Sequence, residues 1–176
     1  MLCTAFAGMN LTMSLIAIPT LLLPHPSSRP QPLRGSDGSQ LLPASPSALL
    51  ARQWQSIYYG GHRVGPAMAI LGALAFALAR QTSDAEPARS IFTAAAIASL
   101  GAVPYTLGLM LPTNNALHER ANMASKADSK TMTGDHVASL KAEETIRLIV
   151  RWKRMNIGRA SICLCAAVCG VVAMTL

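Results

Sequence analysis

The stretch MLCTAFAGMNLTMSLIAIPTLLL, residues 1–23, carries no charged side chain. A helix needs about 20 consecutive apolar residues to cross the hydrocarbon core of a bilayer. A secretory signal peptide is the competing interpretation. However, no basic segment precedes the apolar run, and no clear small-x-small cleavage site precedes Pro24. We therefore predict that residues 1–23 form a retained membrane-spanning helix.

Three further apolar runs follow the first one. They comprise residues 64–79, 91–111 and 160–176. The second run is short for a span, but the tyrosines before it favour the membrane interface and would extend it. Pro104 interrupts the third run and predicts a kink, beside which Tyr105 and Thr106 could form one wall of a polar cavity. An apolar face with helical spacing precedes the fourth run, so we predict one helix from about residue 142 to residue 176.

The composition supports a membrane protein. Hydrophobic residues make up 51% of the 176 residues and charged residues only 13%, whereas a typical soluble domain is about 25% charged. Aromatic residues are scarce, and a chain rich in Ala, Leu, Ile, Val and Met favours helices. We predict an all-α, four-helix transmembrane bundle that forms a single domain over residues 1–176. Within it, the Pro- and Ser-rich residues 24–50 are predicted to form a flexible loop.

The basic residues lie between the apolar runs and predict an orientation. Of the 15 Lys and Arg residues, four lie in the first loop, two in the second and nine in the third. The positive-inside rule then places residues 24–63 and 113–157 in the cytosol. No basic block is interleaved with aromatic residues, so the net charge of +7 does not indicate nucleic-acid binding. The sequon Asn10-Leu11-Thr12 lies inside the first predicted span, and we interpret it as chance.

The sequence shows none of the metal or enzyme signatures that are typical of soluble folds. His118-Glu119 lacks the second histidine of H-E-x-x-H, and no other pair of metal ligands stands out. Cys163, Cys165 and Cys169 lie inside the last apolar run, where a cysteine usually behaves as a small hydrophobic residue. There is no phosphate-binding Gly-rich loop and no G-x-S-x-G motif. We therefore expect no metal site.

Polar and aromatic residues collect at the predicted cytosolic ends of the helices, where polar groups at membrane depth usually have a partner or a role. They are Trp54, Tyr58, Tyr59, His62, Thr113, Asn114, Asn115, His118, Glu119, Arg120, Trp152, Asn156 and Arg159. Positions 152, 156 and 159 are four and three residues apart, so they share one helical face. These residues could be caps and interface anchors only, or they could line a site where the helix ends meet.

The order and spacing of several segments resemble the anthrone oxygenase family of small membrane proteins. The segments are Trp54-x-x-x-Tyr58-Tyr59-Gly60 with Pro66 following, Pro104-Tyr105-Thr106, Met110-x-Pro112-Thr113-Asn114-Asn115-x-Leu117 and Trp152-x-x-x-Asn156-x-x-Arg159. The chain departs from the family in its longer, more Pro-rich residues 24–50, and in Met155 where Leu is common. The resemblance implies a fungal polyketide-tailoring enzyme that oxidises anthrones to anthraquinones with O2, without a metal, flavin or haem cofactor.

The reaction implied by this resemblance needs a base, groups that stabilise an anion and a dry pocket. Loss of a methylene proton from an anthrone gives a phenolate-like carbanion that can react with O2 directly. We predict His118 as the base, because imidazole exchanges protons near neutral pH. Arg159 and Asn115 are predicted to hold the oxyanion, with Tyr105 as an alternative donor. The predicted substrate-binding residues are Trp54, Tyr58, Asn114, Trp152 and Asn156, of which the tryptophans would stack on the flat polycycle.

Two other functions stay open on the sequence alone. The chain could be a non-catalytic membrane scaffold or accessory protein, in which the polar residues only cap and anchor helices. A small transporter would be expected to carry charged residues in the middle of its spans, and the apolar runs contain none. The partners expected for the leading interpretation are an aromatic polyketide, O2 and the lipid bilayer.

Overall fold

A computed structural model of the protein describes residues 2–22, 46–127 and 135–176, which are helical apart from short turns and the last residue. The helices are α1 (Leu2–Thr12), α2 (Ile18–Leu22), α3 (Pro46–Gly61), α4 (Val64–Thr82), α5 (Glu86–Tyr105), α6 (Leu111–Ala127) and α7 (Asp135–Met174). Wider π-helical turns at Met13–Ala17 and Thr106–Met110 join α1 to α2 and α5 to α6. Each of these two pairs therefore forms one continuous helical rod.

Four stretches of the described residues are long and apolar enough to cross a membrane. They are Leu2–Leu22, Leu49–Thr82, Glu86–Met123 and Ala142–Met174, numbered here as the first to fourth spans. The spans contain the four predicted apolar runs almost completely, which confirms the all-α transmembrane bundle. The predicted flexible loop at about 24–50 lies outside the described ranges for residues 24–45, and residues 46–50 form the start of α3.

Small residues let the spans approach closely in their central part. Ser99 on α5 donates a hydrogen bond to the carbonyl oxygen of Ala69 on α4, at 2.9 Å. The Ser99 hydroxyl also lies 3.4 Å from the sulfur of Cys3 on α1, and Gly72 leaves the space that both side chains fill. In lipid, helices associate through such close packing and interhelical hydrogen bonds rather than through a hydrophobic driving force. The large apolar side chains on the outside of the spans remain exposed and are suited to contact lipid.

Helices α3, α6 and the first half of α7 pack together at one end of the bundle. Their contact is a core of buried apolar side chains that includes Leu50, Trp54, Leu117, Ile149 and Trp152. At the surface beside this core, Arg120 on α6 forms an ion pair with Glu144 on α7. The helix ends that carry the polar and aromatic residues therefore meet in the folded chain.

Tyr105 fixes the distance between the third and fourth spans. Its hydroxyl donates a hydrogen bond to the carbonyl oxygen of Met155, at 3.1 Å. A Cβ atom on Gly158 would lie 2.5 Å from the same hydroxyl oxygen. The Tyr105 side chain can therefore occupy this position only because residue 158 is a glycine, which has no Cβ atom.

We expect Gly158→Ala to lower the thermal unfolding midpoint of the detergent-solubilised protein, because the new methyl group displaces the Tyr105 hydroxyl. Overpacking of this kind costs about 1–3 kcal/mol. The matched control is Gly8→Ala on α1, where a Cβ atom meets nothing within 4 Å, so its midpoint should not fall. Circular dichroism measures both midpoints, and equal values for the two variants would contradict the packing described here.

Candidate active site

Aromatic rings from three helices meet where α3, α6 and α7 pack together. Trp54 and Tyr58 stack at 5.2 Å between ring centroids, and Tyr58 and His62 stack at 5.5 Å with nearly parallel planes. Residues 54, 58 and 62 are four apart, and the backbone N–H of His62 donates to the Tyr58 carbonyl oxygen at 2.9 Å, so the turn after α3 continues the face that carries Trp54 and Tyr58. Trp152 on α7 meets Trp54 edge-on at 6.0 Å, and His118 on α6 meets Tyr58 edge-on at 4.6 Å. We call these five residues the aromatic cluster.

A second group of polar side chains lies deeper in the bundle. Asn10, Ser14 and Asn156 are fully buried, and the Asn156 amide donates to the Asn10 carbonyl oxygen at 3.0 Å and to the Ser14 hydroxyl at 2.9 Å. Arg159 donates to the side-chain oxygens of Asn10 and Asn156, and weakly to the Thr106 hydroxyl at 3.5 Å. These contacts join the first, third and fourth spans through one guanidinium.

The guanidinium of Arg159 has no acidic partner among the residues that the structure describes. The ion pairs in those ranges include Arg89–Glu86, Arg120–Glu144 and Arg147–Glu143, at the surface. The Nε atom of Arg159 is buried without a hydrogen-bond partner, and the guanidinium lies 5.4 Å from the ring centre of Phe6. A buried cation held only by neutral oxygens and one aromatic face favours a negatively charged ligand.

Arg159 lies deeper than the sequence indicated. The charge count assigned it to the third loop and to the cytosolic end of the fourth span. In the structure it contacts Asn10, which is near the middle of the first span, Leu2–Leu22. Arg159 therefore lies within the fourth span, Ala142–Met174, although it precedes the apolar run of residues 160–176.

Two small clefts adjoin Arg159, each with a volume of about 50 Å³. The aromatic cleft is lined by residues that include Met13, Tyr58, His62, Asn114 and Trp152. The apolar cleft is lined by residues that include Phe6, Gly65, Ala69, Ala102 and Leu107. Pro66, Thr106 and Arg159 line both clefts. The guanidinium therefore stands between an aromatic space and an apolar one.

Of the predicted site residues, Tyr58, Asn114, Trp152 and Arg159 line the aromatic cleft. The side-chain oxygen of Asn114 is buried without a hydrogen-bond partner among the described residues. An unpaired acceptor in a cleft wall is suited to a hydroxyl group of a ligand, because burial without a partner is costly.

The other predicted residues do not line either cleft. Trp54 and Asn156 are fully buried, Asn115 is exposed, and the hydroxyl of Tyr105 is bonded to a backbone carbonyl. The ring of His118 packs on Tyr58, and its Nδ1 atom lies 3.1 Å from the side-chain amide nitrogen of Gln55. These residues support the cleft wall or lie away from it.

Three residues that the sequence did not select belong to the site: Asn10, Ser14 and His62. Asn10 and Ser14 are polar residues four apart in an apolar span, a spacing that indicates a shared helical face, whereas the sequence analysis considered only the sequon Asn10-Leu11-Thr12 and interpreted it as chance. His62 belongs to the polar set at the helix ends, and its position in the aromatic cleft depends on how α3 turns into α4. Within the described ranges, no three His, Cys, Asp or Glu side chains are grouped as metal ligands.

A family model described as anthrone oxygenase matches residues 54–169. This match covers more than half of the chain, from the aromatic cluster on α3 to beyond Arg159 on α7. The chain belongs to the anthrone oxygenase family. The resemblance drawn from the sequence motifs is thereby confirmed, and Asn10 and Ser14 lie outside the matched region of this family member.

Several curated relatives in fungi are similar to this anthrone oxygenase family member. Anthrone oxygenase ptaC of Pestalotiopsis fici is 35% identical over 113 residues, which cover 63% of this chain and 74% of that protein. Anthrone oxygenase encC of Aspergillus fumigatus is 34% identical over 142 residues, 80% of this chain and 70% of that protein. Noranthrone monooxygenase of Aspergillus flavus is 32% identical over 127 residues, which cover 71% of this chain and 56% of that protein. No solved structure matches the chain.

We expect Asn156→Leu to lower the unfolding midpoint strongly, because it removes an acceptor from Arg159 and leaves the Ser14 hydroxyl unpaired. Loss of one partner from a buried hydrogen bond costs about 1–3 kcal/mol, and more when the other partner is charged. The control is Asn115→Leu, the same change at an exposed position, which should shift stability by no more than about 0.5 kcal/mol. Thermal unfolding in detergent compares the two, and a stable Asn156→Leu variant would contradict the role of the buried amide.

Proposed function

We propose that this chain is a membrane-embedded monooxygenase that oxidises an anthrone-type aromatic polyketide to an anthraquinone with O2. The family match and the names of the relatives support an oxygenase of polyketide pathways. One structural observation carries the proposal: the part-buried guanidinium of Arg159 borders an aromatic-lined cleft and has only neutral hydrogen-bond partners among the described residues.

The chemistry of an anthrone matches a site built around an unpaired cation. Loss of one proton from the methylene carbon moves charge onto the oxygen atom across the central ring, which becomes a phenolate. The anion is electron-rich and supplies the electrons that reduce O2. One oxygen atom becomes the new carbonyl group, and the other leaves as water with the two methylene hydrogens. The balance needs no other reductant, so we propose that the reaction proceeds without a redox cofactor.

Arg159 would stabilise the negative charge that develops on the substrate oxygen. Such stabilisation is strongest in a site that excludes water, where hydrogen-bond donors are already held in place. The Asn10 and Asn156 side chains hold the guanidinium from behind, while the side facing the clefts is free to meet a ligand. The interaction strengthens as the neutral anthrone becomes an anion, which is the condition for lowering the barrier.

The wall of the aromatic cleft fits a flat polycyclic substrate. Tyr58 and Trp152 offer ring surface, and Trp54 supports both rings from the core. The present cleft of about 50 Å³ is smaller than the 300–1,000 Å³ that is usual for ligand pockets. Binding would therefore need the cleft to widen, and among its lining residues Met9 and Met13 have flexible side chains that can move. This movement would widen the cleft around Arg159.

We also propose that the end of the bundle formed by α3, α6 and the start of α7 faces the cytosol. The excess of Lys and Arg in residues 24–63 and 113–157 supports this orientation through the positive-inside rule. These three helices belong to the two loop regions and pack on one another, which supports placing both regions on the same side of the membrane. A substrate released in the cytosol would then enter at the aromatic cluster.

The reaction is tested by O2 uptake of membranes that contain the protein, with an emodin-type anthrone as substrate. We expect uptake above the spontaneous rate, unchanged by a metal chelator, and a fall of about 10²-fold or more in Arg159→Gln, as for other lost anion-stabilising donors. Arg154→Gln is the matched control, because this exposed residue lies on the same helix. Parent membranes without activity would support a scaffold, and an active Arg159→Gln variant would remove Arg159 from the mechanism.

The orientation is tested by cysteine labelling in sealed vesicles whose cytosolic face points outward. In a variant without the four native cysteines, Glu143→Cys should react with an impermeant maleimide, because this exposed residue lies in the proposed cytosolic loop. Asp84→Cys, between α4 and α5, should react only after detergent is added. The reverse labelling pattern would show that the bundle is inserted in the opposite direction.

A further inference from the structure

We infer that His62 is the general base of the proposed oxidation, and that His118 acts only through the aromatic rings that it contacts. This inference rests on the proposed function, since it assigns a residue to the proton transfer of that reaction. The sequence analysis selected His118 because imidazole exchanges protons near neutral pH, a property that both histidines share. The structure distinguishes the two histidines by their position and by their hydrogen bonds.

Only one of the two histidines lines the aromatic cleft. His62, in the turn between α3 and α4, contributes to the same cleft wall as Tyr58 and Arg159. His118 does not line either cleft, and its ring packs edge-on against Tyr58 at 4.6 Å. A base must reach the proton that it removes, directly or through one water molecule. His62 meets this condition for a ligand in the cleft.

The hydrogen bond of His62 leaves its other ring nitrogen free to act as a base. Its Nδ1 atom lies 3.1 Å from the carbonyl oxygen of Tyr59. A carbonyl oxygen can only accept, so Nδ1 carries the hydrogen atom in this contact and Nε2 of the neutral ring keeps its lone pair. A carbonyl partner on one nitrogen is a common way to fix which nitrogen is basic.

The hydrogen bond of His118 has the opposite effect. The amide nitrogen of Gln55 lies 3.1 Å from Nδ1 of His118 and donates to it. The neutral His118 ring then carries its hydrogen atom on Nε2, and its basic nitrogen is already occupied by Gln55. His118 therefore has no free lone pair to accept a substrate proton.

His62 and Arg159 line the same cleft but differ in their exposure. The carbonyl oxygen and the methylene carbon of an anthrone lie on opposite sides of the central ring. Arg159 is largely buried and anchored to Asn10, whereas His62 is exposed and stacks on Tyr58 with nearly parallel planes. A substrate whose oxygen meets Arg159 inside the bundle therefore presents its methylene carbon toward the exposed end of the cleft.

The proton and electron balance closes with His62 as the only base. Nε2 accepts one methylene proton, and the electron pair of the broken bond becomes the phenolate charge beside Arg159. The carbanion carbon reduces O2 and forms a carbon–oxygen bond, and the proton on His62 completes the hydroperoxide. His62 then removes the second hydrogen from the same carbon as the oxygen–oxygen bond breaks. Hydroxide leaves, takes this proton and becomes water, and the carbon is left as a carbonyl.

The test compares His62→Asn with His118→Gln in full-length protein, using an emodin-type anthrone with two hydrogens or two deuteriums on the methylene carbon. Asparagine can still donate to the Tyr59 carbonyl but cannot act as a base. We expect His62→Asn to lower kcat by about 10²–10⁴-fold, the usual contribution of a general base, with KM little changed. The deuterium isotope effect on kcat should increase, and added imidazole should partly restore the activity of His62→Ala. His118→Gln should show a smaller loss and the parent isotope effect.

The outcomes separate this inference from the proposed function. An active parent protein whose His62→Asn variant keeps the parent kcat would overturn the inference alone. A slow His62→Asn variant with an unchanged isotope effect, and no rescue of His62→Ala by imidazole, would show that His62 only caps the helix. This result would also overturn the inference. A parent protein without anthrone oxidation would overturn both.

Discussion

The guanidinium of Arg159 lies inside the bundle, and the cost of burying its charge determines how the helices around it are arranged. A buried charge is tolerated only where it is hydrogen-bonded or paired. Asn156, one turn earlier on α7, supplies an amide oxygen, and Asn10 supplies a second from the first span. The amide nitrogen of Asn156 then bonds back to the first span at the Asn10 carbonyl and Ser14. Two helices far apart in the sequence are thereby held in one register around a cation.

The two π-helical turns lie on either side of this cation. Met13–Ala17 contains Ser14, and Thr106–Met110 begins with the residue whose hydroxyl faces Arg159. Turns of this kind frequently mark functional sites in helices. The second one follows Pro104, which lacks the backbone donor that a regular helix needs at that position. Met13, Thr106 and Met110 all line the aromatic cleft, so both irregular turns contribute to its wall.

The sequence predicted the spans well, because hydrophobic length is a local property and each apolar run carries its own signal. Tyr58, Asn114, Trp152 and Arg159, which the family motifs singled out, line the aromatic cleft. The partners of Arg159 could not be predicted in the same way. Asn10 and Arg159 are 149 residues apart, and no periodicity within one helix reveals a contact between two. Counting every Lys and Arg between the apolar runs as a loop charge placed Arg159 at the membrane surface. The choice between His62 and His118 likewise depends on hydrogen bonds that only the folded chain shows.

A site of this design separates binding from catalysis. In the proposed reaction, a neutral anthrone would gain from the aromatic wall, whereas the charge of Arg159 would interact only weakly with its carbonyl group. The interaction would become strong when the proton leaves and the oxygen becomes negative, because a charge interacts more strongly in a site that is shielded from water. The amide groups of Asn10 and Asn156 hold the guanidinium in place but leave its charge intact. A carboxylate in the same position would neutralise that charge. An acidic partner would satisfy Arg159 in the resting protein and would weaken its attraction for the anion. The absence of such a partner among the described residues is therefore the property that suits this site to an anionic intermediate.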